Sequence, residues 1–282
     1  MRVLTWNIRW GCGCDNRVDF DRIVGVIHGF DTPEVLCLQE VAVNHPGLTG
    51  SQGENQVNEL SSRLPGYSAH YGIGSDLPDE MGGRRLFGNL VLSRLPVLQV
   101  FRHTLPYPAD PNHPSMVRVA VEAVVQAEFG PLRIVTTHLE YYSLAQRRAQ
   151  MDGLRRIHAE AAGHAAHARP DRDTDSAFKC QPRPLTSIYC GDFNCAPEAP
   201  ERAELLAPFD NDTLSLRDAW EIVHPGRPHA HTVGLHACDW PDHPYCCDYF
   251  LVTEDLEDRI LDVLVNQDTD ASDHQPVCLR LA

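Results

Sequence analysis

IYCGDFNCAP, residues 188–197, begins as an apolar run with the composition of a buried strand and ends on Gly191, Asp192 and Asn194. A polar turn ends any strand, but here a carboxylate and a carboxamide stand two residues apart. In an extended segment they share a face, and Phe193 between them points the other way, into the core. The pattern recurs along the chain. Val3-Leu4-Thr5-Trp6 runs into Asn7, Val35-Leu36-Cys37-Leu38 into Gln39-Glu40, and Ile134-Val135-Thr136-Thr137 into His138. Near the end, Ala271-Ser272-Asp273-His274-Gln275-Pro276 precedes the last strand-like run. One such ending is ordinary. The repetition points to a site, because loops at strand ends are where a rigid scaffold presents chemistry.

The strand-like runs are short, rich in Val, Ile and Leu, and bounded by Gly, Pro or Asp: residues 2–6, 35–38, 66–71, 90–93, 97–103, 117–125, 132–137, 185–190, 249–252, 260–265 and 277–281. They are too many for one open sheet. Helical periodicity falls at 19–28, 56–64, 144–168 and 199–206. In the third of these Leu144, Met151, Leu154, Ile157 and Ala161 recur at three- and four-residue steps and leave the arginines outside. Two groups of strands with helices between them predict an α/β fold of two packed sheets covered by helices. The polar, proline-rich segment 168–184 reads as a mobile surface loop, and the whole chain, 1–282, as a single domain without internal repeats.

At 282 residues with 43% hydrophobic content the chain can bury a sizeable core. It contains no run long and apolar enough to span a membrane, and its start, MRVLTWNIRWG, has no targeting pattern, so a cytoplasmic location is expected. Of ten cysteines, Cys37, Cys190 and Cys278 sit in apolar runs, which predicts reduced thiols rather than a disulfide framework. His236, Cys238 and His243 near Cys246 and Cys247 leave a zinc-binding module as an alternative. The net charge of -15 disfavours non-specific binding to long duplex nucleic acid and affects a small phosphorylated substrate less.

The polar strand ends are rich in oxygen ligands, which suit Mg²⁺, an ion that needs only one or two carboxylates besides water and substrate oxygens. Glu40 and Asp273 are the candidates. His138 and His274 can donate protons or hydrogen bonds, and Asp248, opening the DYFLV strand, can fix the tautomer of His274. Arg118, inside an apolar strand, needs a carboxylate or phosphate partner, and it and Asn89 are candidate substrate contacts. Arg84 and Arg85 read either as phosphate contacts or as a solvated turn, and Tyr141 and Tyr142 either as cleft lining or as the packing of a helix start.

Taken together, TWN (5–7), LQEV (38–41), GNLVLSR (88–94), THL (137–139), GDFN (191–194), DYF (248–250) and SDHQP (272–276) resemble, in order, the motifs of the endonuclease/exonuclease/phosphatase, or deoxyribonuclease I-like, superfamily. The resemblance implies a four-layered α/β sandwich, two mixed β-sheets flanked by helices, and a divalent-metal-dependent phosphoesterase. Glu40 would bind Mg²⁺, or Mn²⁺, with Asn7 and Asp273 beside it. Asp192 would orient or deprotonate the attacking water and Asn194 would hold the phosphate. His274 paired with Asp248 would act on the phosphate or as the base, and His138 would stabilise phosphoryl oxygens. Either Asp192 or His274 can be the base. The substrate could be a nucleic acid, a lipid or a small phosphate ester, and a non-catalytic module on the same fold is the other alternative. THLE (137–140), DAWE (218–221) and His231-Thr232 are similar to the tyrosyl-DNA phosphodiesterase branch, but the tryptophan that branch carries after the threonine is replaced by Val233. Residues 224–250 are expected to form a loop over the cleft.

Overall fold

The computed structural model describes residues 1–79, 82–167, 179, 181–209, 211, 213–236, 238 and 241–282. Twelve strands in two six-stranded sheets account for the apolar runs. The first sheet has the order β11 (Ile260–Val265), β12 (Val277–Leu281), β1 (Arg2–Asn7), β2 (Val35–Val43), β4 (Arg84–Ser93), β3 (Ser68–Pro78). The second has the order β5 (Val97–Thr104), β6 (Val119–Ala127), β7 (Gly130–His138), β8 (Ser187–Asp192), β10 (Asp248–Thr253), β9 (Leu216–Asp218).

Each sheet contains one parallel pair near its centre, β1 with β2 and β7 with β8, and all its other pairings are antiparallel. A parallel pair needs a crossover. The helix α1 (Phe20–His28) lies between β1 and β2 in the chain, and α3 (Leu144–Ala166) between β7 and β8. Both helices start on side-chain caps, Asp19 accepting from the Arg22 N–H and Ser143 from the Gln146 N–H.

Alternating side chains sort into three apolar clusters. Val3, Val35, Val121, Ile134, Ile188 and Leu279 pack between the sheets. Leu4, Trp6, Leu36 and Leu38 turn outward onto α1 and α2 (Gln56–Arg63). Val135, Tyr189, Phe193 and Leu251 turn outward onto α3 and α4 (Pro200–Leu206). The result is the four-layered sandwich. Phe193 is fully buried, as the alternation in IYCGDFN requires.

The structure departs from the sequence expectation in several places. Strand β9 and helix α5 (Ala219–Val223) are too short to leave a periodic signal. Strand β3 runs on to Pro78 through the polar residues GIGSDLP, because pairing with β4 satisfies its backbone. Cys14 and Cys238 form a disulfide, which corrects the expectation of reduced thiols throughout, removes the thiol argument for a cytoplasmic location and takes Cys238 out of any zinc site. Most of segment 168–184 lies outside the described residues, and so does the expectation that it is mobile. Of the remainder, Arg183 is buried, and its guanidinium meets the Glu122 carboxylate at 2.8 and 3.0 Å.

Glu122 is itself fully buried. Burial alone would raise its pKa, but His103, Arg183 and Arg133 around it hold the carboxyl at about 2 instead of 4.5. A depressed carboxyl stabilises the fold above its unfolded pKa and loses that contribution as pH falls through the folded value. Acid titration of unfolding should therefore cost on the order of 3 kcal/mol between pH ~4.5 and ~2 from this group. In Glu122→Gln that part of the slope should vanish; chemical denaturation at stepped pH checks it. The disulfide closes a sequence separation of 224 residues. Cys14→Ser should cost about 2–4 kcal/mol, a fall in Tm on the order of 5–10 °C by calorimetry.

Candidate active site

The carboxyl-terminal ends of the two parallel pairs meet at one edge of the sandwich. Asn7 ends β1, Glu40 lies in β2, His138 ends β7 and Asp192 ends β8. Register places His138 and Asp248 directly opposite Asp192 on its two neighbouring strands. Gly191 adopts φ +133 and passes so close to β7 that a Cβ would come within 1.9 Å of the Thr137 carbonyl oxygen. Only glycine allows that approach, so GDFN reaches the site because of its first residue.

Glu40 sits where the β2–β4 register slips between Leu38 and Val41, with φ 57. The bulge re-aims its side chain away from the pleat and toward the cleft. Its neighbour Gln39 is fully buried and ties the sheets together beneath, its amide nitrogen donating to Thr5 Oγ1 at 3.1 Å and to Thr136 Oγ1 at 2.9 Å.

The Asn7 side chain bridges the sheets at the site itself, its Nδ2 donating to Glu40 Oε1 and to Asp192 Oδ2, both at 3.1 Å. Its Oδ1 accepts from the Arg9 N–H at 3.1 Å. His138 Nε2 is 3.3 Å from Asp192 Oδ2 and its Nδ1 is 3.9 Å from Glu40 Oε1. The Asn194 N–H donates to Asp192 Oδ1 at 2.9 Å, and Asn194 Nδ2 donates to the Leu139 carbonyl.

On the other side, His274 Nδ1 meets Asp248 Oδ2 at 3.0 Å, while its Nε2 lies 3.7 Å from Asp192 Oδ2. Thr232 Oγ1 donates to the same Asp248 oxygen at 2.7 Å and accepts from the Cys247 and Asp248 N–H groups. Trp6 Nε1 donates to the His274 carbonyl, and Ser272 Oγ donates to the Asn7 carbonyl, so the SDHQP segment is fixed against β1.

These contacts separate the two histidines electrostatically. Burial and the nearby charges of Arg118 and His274 hold the His138 pKa well below the ordinary value, so that ring is neutral. Burial also works against a charge on His274, but Asp248 and Asp192 override it and raise its pKa well above the usual range. Burial pushes Asp192 up to about 6. Burial and the Asp273 charge push Glu40 up to about 7. Carboxylates from Glu40, Asp192 and Asp273 thus share a confined space in which Arg9, 3.6 Å from Asp273, and His274, 3.7 Å from Asp192, are the near positive charges, and a hard divalent cation on the oxygens of Glu40 and Asp273 would offset the burial of Glu40.

Among the described residues, two groups of three side chains cluster at ligand distance. Asp192, Cys247 and His274 form one, but burial holds the Cys247 thiol protonated and Nδ1 of His274 is committed to Asp248. Asp218, Glu221 and His229 form the other, yet the Arg202 guanidinium already occupies Asp218.

A cavity of about 1050 Å³ opens above this floor. Glu40, His138, Asp192, Asn194, Asp273, His274 and Arg118 line it. Asn7 and Asp248 are buried behind them. Asn89 does not line this cavity but a small pocket shared with Arg118 and His138, and its amide nitrogen donates to the Val119 carbonyl. Arg118 finds the carboxylate its burial requires in Glu140, at 3.3 Å. Arg84 and Arg85 pair with Asp76 and Asp79. None of the described residues of 224–247 lines the cavity; Thr232 of this segment donates to Asp248, and residues 237, 239 and 240, on which the expectation of a covering loop also falls, lie outside the described residues. Tyr141 and Tyr142 do line the cavity, together with Trp10 and Tyr107. Nothing in the sequence singles out Trp10, whose φ of 45 no local pattern predicts.

The sequence profile of the endonuclease/exonuclease/phosphatase family matches residues 4–274. No curated protein matches the chain. Among solved structures, an endonuclease/exonuclease/phosphatase from Beutenbergia cavernae is 26% identical with a TM-score of 0.68, over 100% of this chain and 72% of that one. Two others share the fold at lower identity. The D. rerio TDP2 complexed with single-strand DNA product has 18% identity and a TM-score of 0.63, over 100% of this chain and 98% of that one. The Bacteroides thetaiotaomicron mannosyl-6-phosphatase has 15% identity and a TM-score of 0.67, over 100% and 99%.

The asymmetry between the histidines is testable without substrate. Asp248→Asn keeps the side-chain shape and removes its charge, so the His274 ring should titrate at lower pH, back toward the ordinary range. NMR of ring-labelled histidine reads this, and an unshifted His274 would show that Asp248 does not hold its charge.

Proposed function

The chain belongs to the endonuclease/exonuclease/phosphatase family, and on that premise we propose that it is a divalent-metal-dependent phosphoesterase that hydrolyses its substrate by attack of an activated water. The observation that carries this reading is the convergence on Asp192 of Asn7, His138 and His274 from both sheets, with Glu40 and Asp273 in the same cleft. Mg²⁺, or Mn²⁺ in its place, held by Glu40 and Asp273 would withdraw charge from a phosphoryl oxygen and stabilise the departing one.

The rest follows from the chain's own groups. His274, kept charged by Asp248, is a poor proton acceptor and a good hydrogen-bond donor to an anionic phosphate. Asp192 is the remaining candidate for base, with a pKa raised to about 6 toward the working range and an orientation fixed by the Asn7 amide and the Asn194 N–H. Neutral His138 offers a ring N–H to phosphoryl oxygens without competing for the proton. Asn194 and Arg118 are placed at the cleft to orient the phosphate. The fold serves both a DNA product and a phosphosugar in the solved relatives, so phosphodiester and phosphomonoester chemistry both remain within reach of this arrangement.

With Mg²⁺ the purified protein should hydrolyse bis(p-nitrophenyl) phosphate or p-nitrophenyl phosphate, and EDTA should abolish turnover until metal is restored. Asp192→Ala should lower kcat by about 10²–10⁴-fold, the range for loss of a positioned base. Activity unchanged by that substitution, or by chelation, would sink the proposal.

A further inference from the structure

The cleft holds more than hydrolysis of a bare phosphate uses. At about 1050 Å³ it reaches the upper end of the range for small-molecule sites. The catalytic candidates Glu40, His138, Asp192, Asn194, Asp273 and His274 make up part of its lining. Much of the remaining wall is aromatic: Trp10, Phe87, Tyr107, Tyr141 and Tyr142.

These rings are positioned rather than loosely exposed. The indole N–H of Trp10 donates to the Thr49 carbonyl at 2.9 Å, and the Tyr107 hydroxyl meets Ser115 Oγ at 3.1 Å. The Tyr141 and Tyr142 rings meet edge to face with centroids 4.8 Å apart. Trp10 also adopts φ 45 and ψ 31, a left-handed conformation that is uncommon for a bulky residue and costs strain. Even so, Tyr107 and Tyr142 keep 45% and 57% of their surface accessible, an expensive exposure for two rings beside one cavity unless something covers them.

The charges in the same wall run the other way. Glu40, Asp76, Asp192 and Asp273 line the cavity, and Arg118 is the sole arginine or lysine among the described lining residues. Its Nε is committed to Glu140. One guanidinium and one acid-rich floor suit one phosphorus centre. Beyond Arg118 and the charged His274, the described lining offers no arginine or lysine to the further anions of a polyphosphate or a strand, and the one guanidinium beside Asp76, that of Arg84, is paired with it, against a chain of net charge -15. Aromatic faces, in contrast, hold flat or apolar groups without needing any charge.

Resting on the phosphoesterase reading above, we propose that the substrate is a small phosphoester with a single phosphorus centre bearing a flat or apolar organic group, and that the aromatic wall, Tyr142 and Trp10 foremost, selects for that group.

Calorimetric titration with Mg²⁺ present tests this using ligands that do not turn over: benzylphosphonate, methylphosphonate and a phosphorothioate octathymidylate. Benzylphosphonate should bind at least tenfold more tightly than methylphosphonate, the scale of one aromatic stacking contact. That ratio should fall toward one in Tyr142→Ala and persist in Tyr142→Phe. The octathymidylate should bind no tighter than benzylphosphonate. Equal affinities for the two phosphonates, a ratio unmoved in Tyr142→Ala, or an octathymidylate bound tenfold more tightly than benzylphosphonate would each overturn the inference, the last in favour of a single strand. Failure of the phosphoesterase reading shows separately, as absence of turnover on both bis(p-nitrophenyl) phosphate and p-nitrophenyl phosphate by a protein that still ranks the phosphonates.

Discussion

One amide group joins the two halves of this molecule where its chemistry lies. Asn7 Nδ2 reaches a carboxylate of its own sheet, Glu40, and one of the opposite sheet, Asp192. Two carboxylates drawn toward one donor would otherwise repel each other across the gap between the sheets. The amide is therefore placed to set the separation of the walls of the cleft. It can do so because both sheets present the same element there, the carboxyl end of a parallel strand pair. In open α/β sheets that end is where ligands bind, since crossovers leave a crevice outside it. Here two such ends face each other across a sandwich, so one crevice is lined from both sides.

Electrostatics turns this geometry into a division of labour. The two histidines differ little in exposure but greatly in neighbours. Asp248 stands behind His274 and itself accepts the Thr232 hydroxyl, so the ring keeps its proton. His138 has the charge of Arg118 nearby and stays neutral. Asp192 lies between them, opposite His138 and Asp248 in register. In a confined cleft the local arrangement of charges weighs more than the net charge of -15 in setting the field.

Much of the floor of the site was legible in the sequence because a strand that leaves the core carries its last residues to a fixed place. Asn7, His138 and Asp192 are such residues, and their polarity interrupts an apolar run that any reader can see. Glu40 was visible for the same reason, although the bulge that aims it was not. Its strand continues through Val41, Ala42 and Val43 instead of stopping. What the sequence hid depends on contacts between distant segments. Nothing near Cys14 announces Cys238, 224 residues away. Asn89 begins an apolar run, but that its amide donates across to the Val119 carbonyl beside Arg118 and His138 is something that only the packing of β6 against β4 reveals. Segment 224–247 reaches the site through Thr232, which holds Asp248, a contact that a histidine-rich stretch does not announce.

Backbone strain marks the boundary between what was read and what was not. Arg9, Trp10, Glu40 and Asn194 all have positive φ without being glycine, and all four stand at or beside this one cleft. Residues held so are stable only where the surroundings over-determine them. The supports are identifiable: the Asn7 Oδ1 accepts the Arg9 N–H, the Trp10 indole is tethered to Thr49, the Asn7 amide holds the Glu40 carboxylate, and Leu139 and Asp192 hold Asn194 from both ends. Two of the strained residues belong to the acid and amide floor and one to the aromatic wall. The same kind of constraint therefore acts on residues of the acid and amide floor and on a residue of the aromatic wall, all in one cavity lining.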